Sequence, residues 1–250
     1  TYTEAGFDPK RDLLQSYLFI GGDPMRGEVL PQERIGGEVG DAGGLVVDWD
    51  LRTNLEGLYA AGDAIFGGNY HYHAAATGRY AGRKAAEYAA GAPEPVIYRH
   101  QAEGEKARVY APLGRQDGIE WKELNAAICR VMQNYCGQYK NEELLRIGLI
   151  WLEELERDEA PKVVADNPHK LMRTLDVFNI LTCSQMIIHA SLARKASSPP
   201  LGFFRLDYPE LDPPEWRKWV TIRLEDGKVR VGELPLDFWE PLRENYERHR

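Results

Sequence analysis

The sequence predicts an α/β portion followed by an all-α portion, with a three-helix bundle and a C-terminal β-hairpin tail. Three observations predict it. Short β-branched and aromatic runs broken by glycine lead into an Ala-rich stretch that carries Arg and Lys. Three successive segments between Trp121 and Lys195 space their apolar residues three and four apart. Alternating residues then flank Asp226-Gly227, the dipeptide of a tight hairpin turn.

Taken in order, SYLFIGG at 16–22 and ERIGGEVGDAGGLVVDWD at 33–50 read as short strands and turns, with strands expected at 45–47 and 58–61. From Ala74, AAATGRYAGRKAAEYAAG reads as a helix stopped by Gly91 and by Pro93 and Pro95. A polar or helical stretch over 98–110 leads to Trp121. There Trp121, Leu124, Ile128, Val131, Met132, Tyr135 and Tyr139 form the stripe of an amphipathic helix. Leu145, Leu149, Leu152 and Leu155 form a second, closed by Pro161. The third and longest helix opens on Asn167 as N-cap with Pro168 at its first position and runs to Lys195. A Pro-rich loop, RLDYPELDPPEW, precedes the hairpin, and DFWEPLRENYERHR reads as a last helical piece. The expected domains are 1–96, 97–200 and 201–250.

Composition removes several classes of function. With 31 Lys and Arg against 39 Asp and Glu the 250-residue chain carries a net charge of −8, which argues against a surface that tracks nucleic-acid phosphates. No run approaches the roughly 20 uninterrupted apolar residues of a membrane span; residues 147–152 are too short. Cys129, Cys136 and Cys183 form no C-x-x-C pair, so neither a disulfide framework nor a thiolate zinc site is indicated, and a reducing compartment fits. Cys183 and His189, among apolar neighbours in the third helix, read as buried structural residues.

The sharpest local feature is GLYAAGDA at 57–64. A hydrophobic strand ending in small residues and Gly62 lets a nucleotide cofactor approach the backbone, and Asp63 can accept a hydrogen bond from a sugar or polyol hydroxyl. The following helix start offers free N–H groups to an electron-rich atom. The plain alternative is a strand followed by an Asp-containing turn. Next to it, His71, Tyr72 and His73 are the polar candidates for proton exchange, with capping or packing as the bland reading. An H-x-H pair without acidic or Cys neighbours is a weak metal signal.

GLYAAGDAIFGG followed by HAAATGRYAGRKAAEYA resembles the second flavin-binding segment of FAD-dependent oxidoreductases. The helical region and SLARKASSPPLGFFRLDYPELDPPEWRKWVTI at 191–222 narrow the resemblance. They are similar to the C-terminal part of the fumarate reductase and succinate dehydrogenase flavoprotein superfamily, most of all to the adenylylsulfate reductase alpha subunit. That family places an Arg-Lys-x-Ser-like helix end, an aromatic-Arg-x-Asp-Tyr-Pro loop and an Asp-x-x-x-Trp turn in this order. The resemblance covers about 33–225.

It implies that 1–96 is part of an FAD-binding α/β domain with a remnant of the capping domain. It implies a cofactor site of Gly62, Asp63, Ala74, Ala75, Ala76, Thr77 and Gly78, which makes His73, His71 and Tyr72 the catalytic candidates beside a flavin ring. Read from the residue alone, Arg34 is a candidate to hold an anionic substrate, and a solvated side chain is the favoured alternative. It also implies a small-molecule substrate, an iron-sulfur partner subunit that holds the clusters, and a cytoplasmic location or attachment to the inner face of a membrane through partners. Two departures stand out. The strand, G-x-G-x-x-G turn and helix that hold the FAD pyrophosphate are not in these 250 residues, so the expectation is a C-terminal portion of a longer flavoprotein whose N-terminal FAD-binding half lies elsewhere. The loop GGNYHYHAAATG also lacks the Arg that serves a dicarboxylate in fumarate reductases. The competing reading is a non-catalytic docking or scaffold chain that binds no FAD alone.

Overall fold

The computed structural model describes residues 43–66, 70–236, 238 and 241–248. Its described residues fall into two compact units: those between 43 and 97 with 217–219 and 233–248, and those of 98–216 with 220–232.

The first unit is built on helix α1, Tyr70–Gly91. The strands expected at 45–47 and 58–61 are not formed; between 43 and 64 there is one isolated bridge, Arg52 to Tyr59. A ladder needs a neighbouring strand along its length, and among the described residues this segment bonds its backbone to itself and packs on a helix instead. Thr53 N donates to Leu58 O at 2.9 Å, Ala60 N to Leu51 O at 3.1 Å and Leu45 N to Ala64 O at 2.7 Å. Asp48 closes the bend, accepting from the Asp50 and Arg52 amides through Oδ1. Helix α1 begins four residues before the expected Ala74, so His71, Tyr72 and His73 form its first turn rather than a loop. Its end at Gly91 is where the following prolines require it.

The second unit starts with α2, Arg99–Tyr110, which buries none of its residues. Helices α3 (Trp121–Tyr135), α4 (Glu142–Glu154) and α5 (Pro168–Ala193) pack on one another. Their shared core contains Trp121, Leu124, Ile128, Met132, Leu145, Leu152, Val177, Leu181 and Ile188. Each helix start is chemically specified. Glu120 and Glu123 form a reciprocal capping box on α3, the Asn141 side chain accepts from Leu144 N on α4, and the Asn167 side chain accepts from Lys170 N on α5. Helix α4 relaxes into a π turn, Leu155–Glu159, before Pro161.

Two details depart from the periodicity reading. Tyr139 leaves the α3 stripe and enters β1, Tyr139–Lys140, because the helix stops at Tyr135 and Cys136 N closes it on Met132 O. Cys183 is exposed, while Val177, Leu181, Ser184 and Ile188 on the neighbouring face are buried. Helix α5 is long and apolar enough to cross a membrane by length and composition, although its apolar residues do not form an uninterrupted run. Of its apolar residues, Val177, Leu181 and Ile188 line the core, while Met172, Ile180 and Met186 are exposed.

After α5 the chain forms β2, Phe204–Arg205, parallel to β1 with Tyr139 opposite Phe204 and Lys140 opposite Arg205. The hairpin follows: β3, Lys218–Glu225, and β4, Lys228–Pro235. Its turn residues Asp226 and Gly227 both have positive φ, 50° and 71°, the backbone of a type I′ turn. Helix α6, Leu242–Arg248, ends the described chain.

Candidate functional site

The loop 48–62 is fastened along one face of α1. Thr77, Tyr80, Lys84 and Tyr88 recur at spacings of three and four, so they share that face. Gly62 N donates to Thr77 Oγ1 at 2.9 Å, and Thr77 Oγ1 donates to the His73 carbonyl at 2.6 Å. Tyr80 OH donates to Asp50 Oδ1 at 3.2 Å, Lys84 Nζ lies 3.3 Å from the same oxygen, and Tyr59 OH donates to Lys84 O at 3.3 Å. Tyr88 OH donates to Glu56 Oε1 at 3.0 Å and meets the Tyr59 ring edge-on. Burial alone would raise the Asp50 carboxyl, but Lys84, Tyr80 and Arg52 outweigh it and hold Asp50 below the ordinary aspartate range.

Gly62 is buried with φ of 61°, and a Cβ there would sit 3.2 Å from Ala74 Cβ. The position therefore takes glycine for two reasons, conformation and close approach. Asp63 and Ala64 complete a short 3₁₀ turn that projects Asp63 to the surface.

The structure brings Gly62, His73, Ala74 and Thr77 together and sets exposed Asp63 beside them. His71 and Tyr72 are exposed on the first turn of α1. Ala75, Ala76 and Gly78 are exposed as well, and His71, Ala75, Gly78 and Gly82 line one face at spacings of four, three and four. A Cβ at Gly78 or Gly82 would meet nothing within 4 Å, so this face is open among the described residues. His73 Nδ1 is buried and has no hydrogen-bond partner among the described residues. Arg34 lies outside the described residues. No group of three or more His, Cys, Asp or Glu placed to hold a metal occurs among them.

These residues fit a flavin. An exposed carboxylate follows a close-approach glycine, an open small-residue face starts at a helix N-terminus, and a buried imidazole nitrogen has no hydrogen-bond partner among the described residues. Sequence reasoning missed the clamp of Asp50, Tyr59, Tyr80, Lys84 and Tyr88. Its signal was the i, i+4, i+8 spacing of large polar side chains on an otherwise Ala-rich helix.

A second polar centre lies in the helical unit, and it accounts for the RKxS and FRxDYP motifs. Arg205 is fully buried, with Nη1 donating to Ser191 O at 2.5 Å and Arg194 O at 2.9 Å, both at the end of α5. Its Nε and Nη2 meet Asp207 bidentately at 2.8 and 2.7 Å. Asp207 in turn accepts from Glu142 N at the start of α4. The buried Ser197 hydroxyl accepts from Arg205 N at 2.8 Å and donates to Tyr208 O at 2.9 Å. This centre fastens the tail to both helices.

The comparisons point to one class, since the chain is similar to the C-terminal regions of flavoprotein oxidoreductases. Residues 125–246, just under half of the chain, match the family model described as the fumarate reductase flavoprotein C-terminus. The fumarate reductase flavoprotein subunit of Haemophilus influenzae is 28% identical over 211 residues, 78% of this chain and 35% of that protein. The chain thus spans about a third of that relative's length. Among solved structures, the Mycobacterium smegmatis Sdh1 complex aligns with a TM-score of 0.64 at 26% identity, over 82% of this chain and 38% of that one. Adenylylsulfate reductase from Archaeoglobus fulgidus shares the fold, with a TM-score of 0.68 at 23% identity over 74% of this chain and 32% of that one.

Proposed function

We propose that this chain forms the C-terminal portion of an FAD-dependent oxidoreductase that passes electrons between flavin and a small acceptor or donor. The observation that carries the proposal is the seating of the GLYAAGD loop on the first two turns of α1, through Gly62 and Thr77, in a chain whose later residues match the flavoprotein family. When bound, FAD supplies the hydride and electron chemistry.

The chain's own residues supply position and protons. Asp63 accepts hydrogen bonds from the hydroxyls of the cofactor's polyol chain. The unbonded N–H groups at the start of α1 and their partial positive charge favour an electron-rich edge there. Ala74, Ala75, Ala76 and Gly78 keep that face low enough for a planar ring to approach. His73 holds a proton at its buried Nδ1, or releases it, and His71 and Tyr72 offer further donors at the same turn. Arg34 binds an anionic substrate. Since GGNYHYHAAATG contains no arginine, the dicarboxylate of fumarate is not the favoured substrate. Electrons reach the flavin through an iron-sulfur partner subunit, as the resemblance to the fumarate reductase flavoproteins implies.

The test compares the native protein purified from its source with the 250-residue chain expressed alone, by intact mass and visible absorbance. A longer native species with a flavin spectrum, absent from the isolated chain, supports the proposal. A native species of 28.4 kDa that takes up no flavin when FAD is added overturns it and favours a docking or scaffold role.

A further inference from the structure

We infer that Thr77 is a positioning residue for the flavin site: its hydroxyl latches the Gly62-Asp63 turn to the first turn of α1 and sets where Asp63 and the His71 to His73 turn stand relative to each other. This rests on the flavin reading above. The Thr77 hydroxyl is engaged on both sides, accepting from the Gly62 amide at 2.9 Å and donating to the His73 carbonyl one turn back at 2.6 Å. It thereby joins the backbone of two elements that approach so closely that a Cβ on Gly62 would sit 3.2 Å from Ala74 Cβ.

The sequence suggests Thr77 as a cofactor contact, but a hydroxyl whose proton is already given to His73 O cannot donate to a ring atom as well. Its part is indirect. Bonding from Thr Oγ1 to the carbonyl four residues earlier adjusts the local bend of a helix, here at the turn that carries His73. The Gly62 amide belongs to a buried residue of positive φ, so losing its acceptor frees the turn to move or leaves an N–H unsatisfied. In either case Asp63 and the helix start lose their fixed separation.

The test uses the full-length flavoprotein with bound FAD, as wild type, Thr77→Val and Thr77→Ser. Valine keeps the size and removes both hydrogen bonds; serine keeps both and drops a methyl. Three readouts are taken: the FAD dissociation constant, the visible flavin spectrum with the midpoint potential, and the melting temperature. Thr77→Val is expected to weaken FAD binding about 10-fold, with an altered spectrum and a shifted potential. Thr77→Ser is expected to remain within about twofold of wild type, since the bonded hydroxyl is kept. A Thr77→Val protein with a lower melting temperature but unchanged spectrum, potential and affinity overturns the inference, because the hydroxyl then only staples the fold. A Thr77→Ser protein as impaired as the valine variant overturns it too, and this arm decides the matter if the valine variant does not fold. Wild-type protein without flavin overturns the flavin reading itself, whereas flavin in wild type with an unchanged valine variant removes only the role of Thr77.

Discussion

Replacing Arg205 with methionine tests how the tail is held to the bundle. The guanidinium has no exposed surface and makes four charge-assisted contacts within 3 Å: two to Asp207 and one each to the Ser191 and Arg194 carbonyls. At about 1.5–3 kcal/mol per hydrogen bond to a charged group, simple addition would reach about 6–12 kcal/mol. That overshoots, because Asp207 keeps 29% of its side-chain surface in water and rehydrates once freed. The appropriate range is that for breaking a buried pair by removing one partner, about 3–5 kcal/mol. At about 4 °C per kcal/mol for a domain of this size, the melting temperature should fall by about 12–20 °C. Thermal unfolding followed by circular dichroism and calorimetry at neutral pH measures this. Arg205 first, then the Glu142 amide, holds the Asp207 carboxyl below its ordinary value against the opposing effect of burial. A depressed carboxyl contributes stability that is complete above the unfolded value, about 3.9, and is lost as pH falls through the lower folded value. The deficit of the methionine variant should therefore be constant from neutral pH down to about 4 and narrow only below that. A variant within about 1 kcal/mol of wild type at neutral pH would refute the reasoning, because that is the scale of an exposed ion pair.

Three further substitutions test other parts of the packing. Lys140 is fully buried, its ammonium facing the Phe203 ring and bonded to Gln138 O at 3.4 Å; burial, aided by Arg205, pushes its pKa down. A lysine lowered in the folded state carries a penalty below its folded pKa that fades as pH rises toward the unfolded value, so Lys140→Met should stabilise by about 1–2 kcal/mol at pH 7, less near pH 10, in urea titrations. Gly148→Ala would place a Cβ 2.7 Å from Tyr135 Cβ and 3.3 Å from Ile188 Cδ1. Overpacking of about 1–3 kcal/mol should exceed the helix gain of about 1 kcal/mol, and chemical denaturation showing a more stable variant would contradict the α3, α4 and α5 packing. Asn167→Ala removes the acceptor for Lys170 N and should cost about 1 kcal/mol, with Asn167→Ser restoring most of it in the same assay.

The parts of the fold governed by local chemistry were legible in the sequence. Asn167 and Pro168 mark a helix start by a side-chain oxygen and a missing N–H, and Asp226-Gly227 marks a turn by tolerance of positive φ. The stripe from Trp121 to Met132 follows from helical period alone. What failed depends on partners distant in sequence. Residues 45–47 and 58–61 have strand composition, but composition does not say whether a neighbour is there to complete a ladder. Cys183 sits among apolar residues in sequence, yet sequence neighbours in a helix point to different sides. The candidate site was legible as types, Gly62, Asp63 and the histidines, through the spacing and resemblance of one motif. The clamp was not, because Asp50, Glu56 and Tyr59 reach α1 across about 25–32 residues, and nothing in a single sequence pairs such positions.

The most direct test of the flavin account is an experimental structure of the native protein with its cofactor bound. The account predicts the flavin ring along the first turn of α1, over the face of His71, Ala75 and Gly78. Asp63 should lie within hydrogen-bonding distance of a cofactor hydroxyl, and the Gly62 to Thr77 bond should be intact. A flavin seated away from α1, or a native protein whose density holds no flavin at this turn, would contradict it.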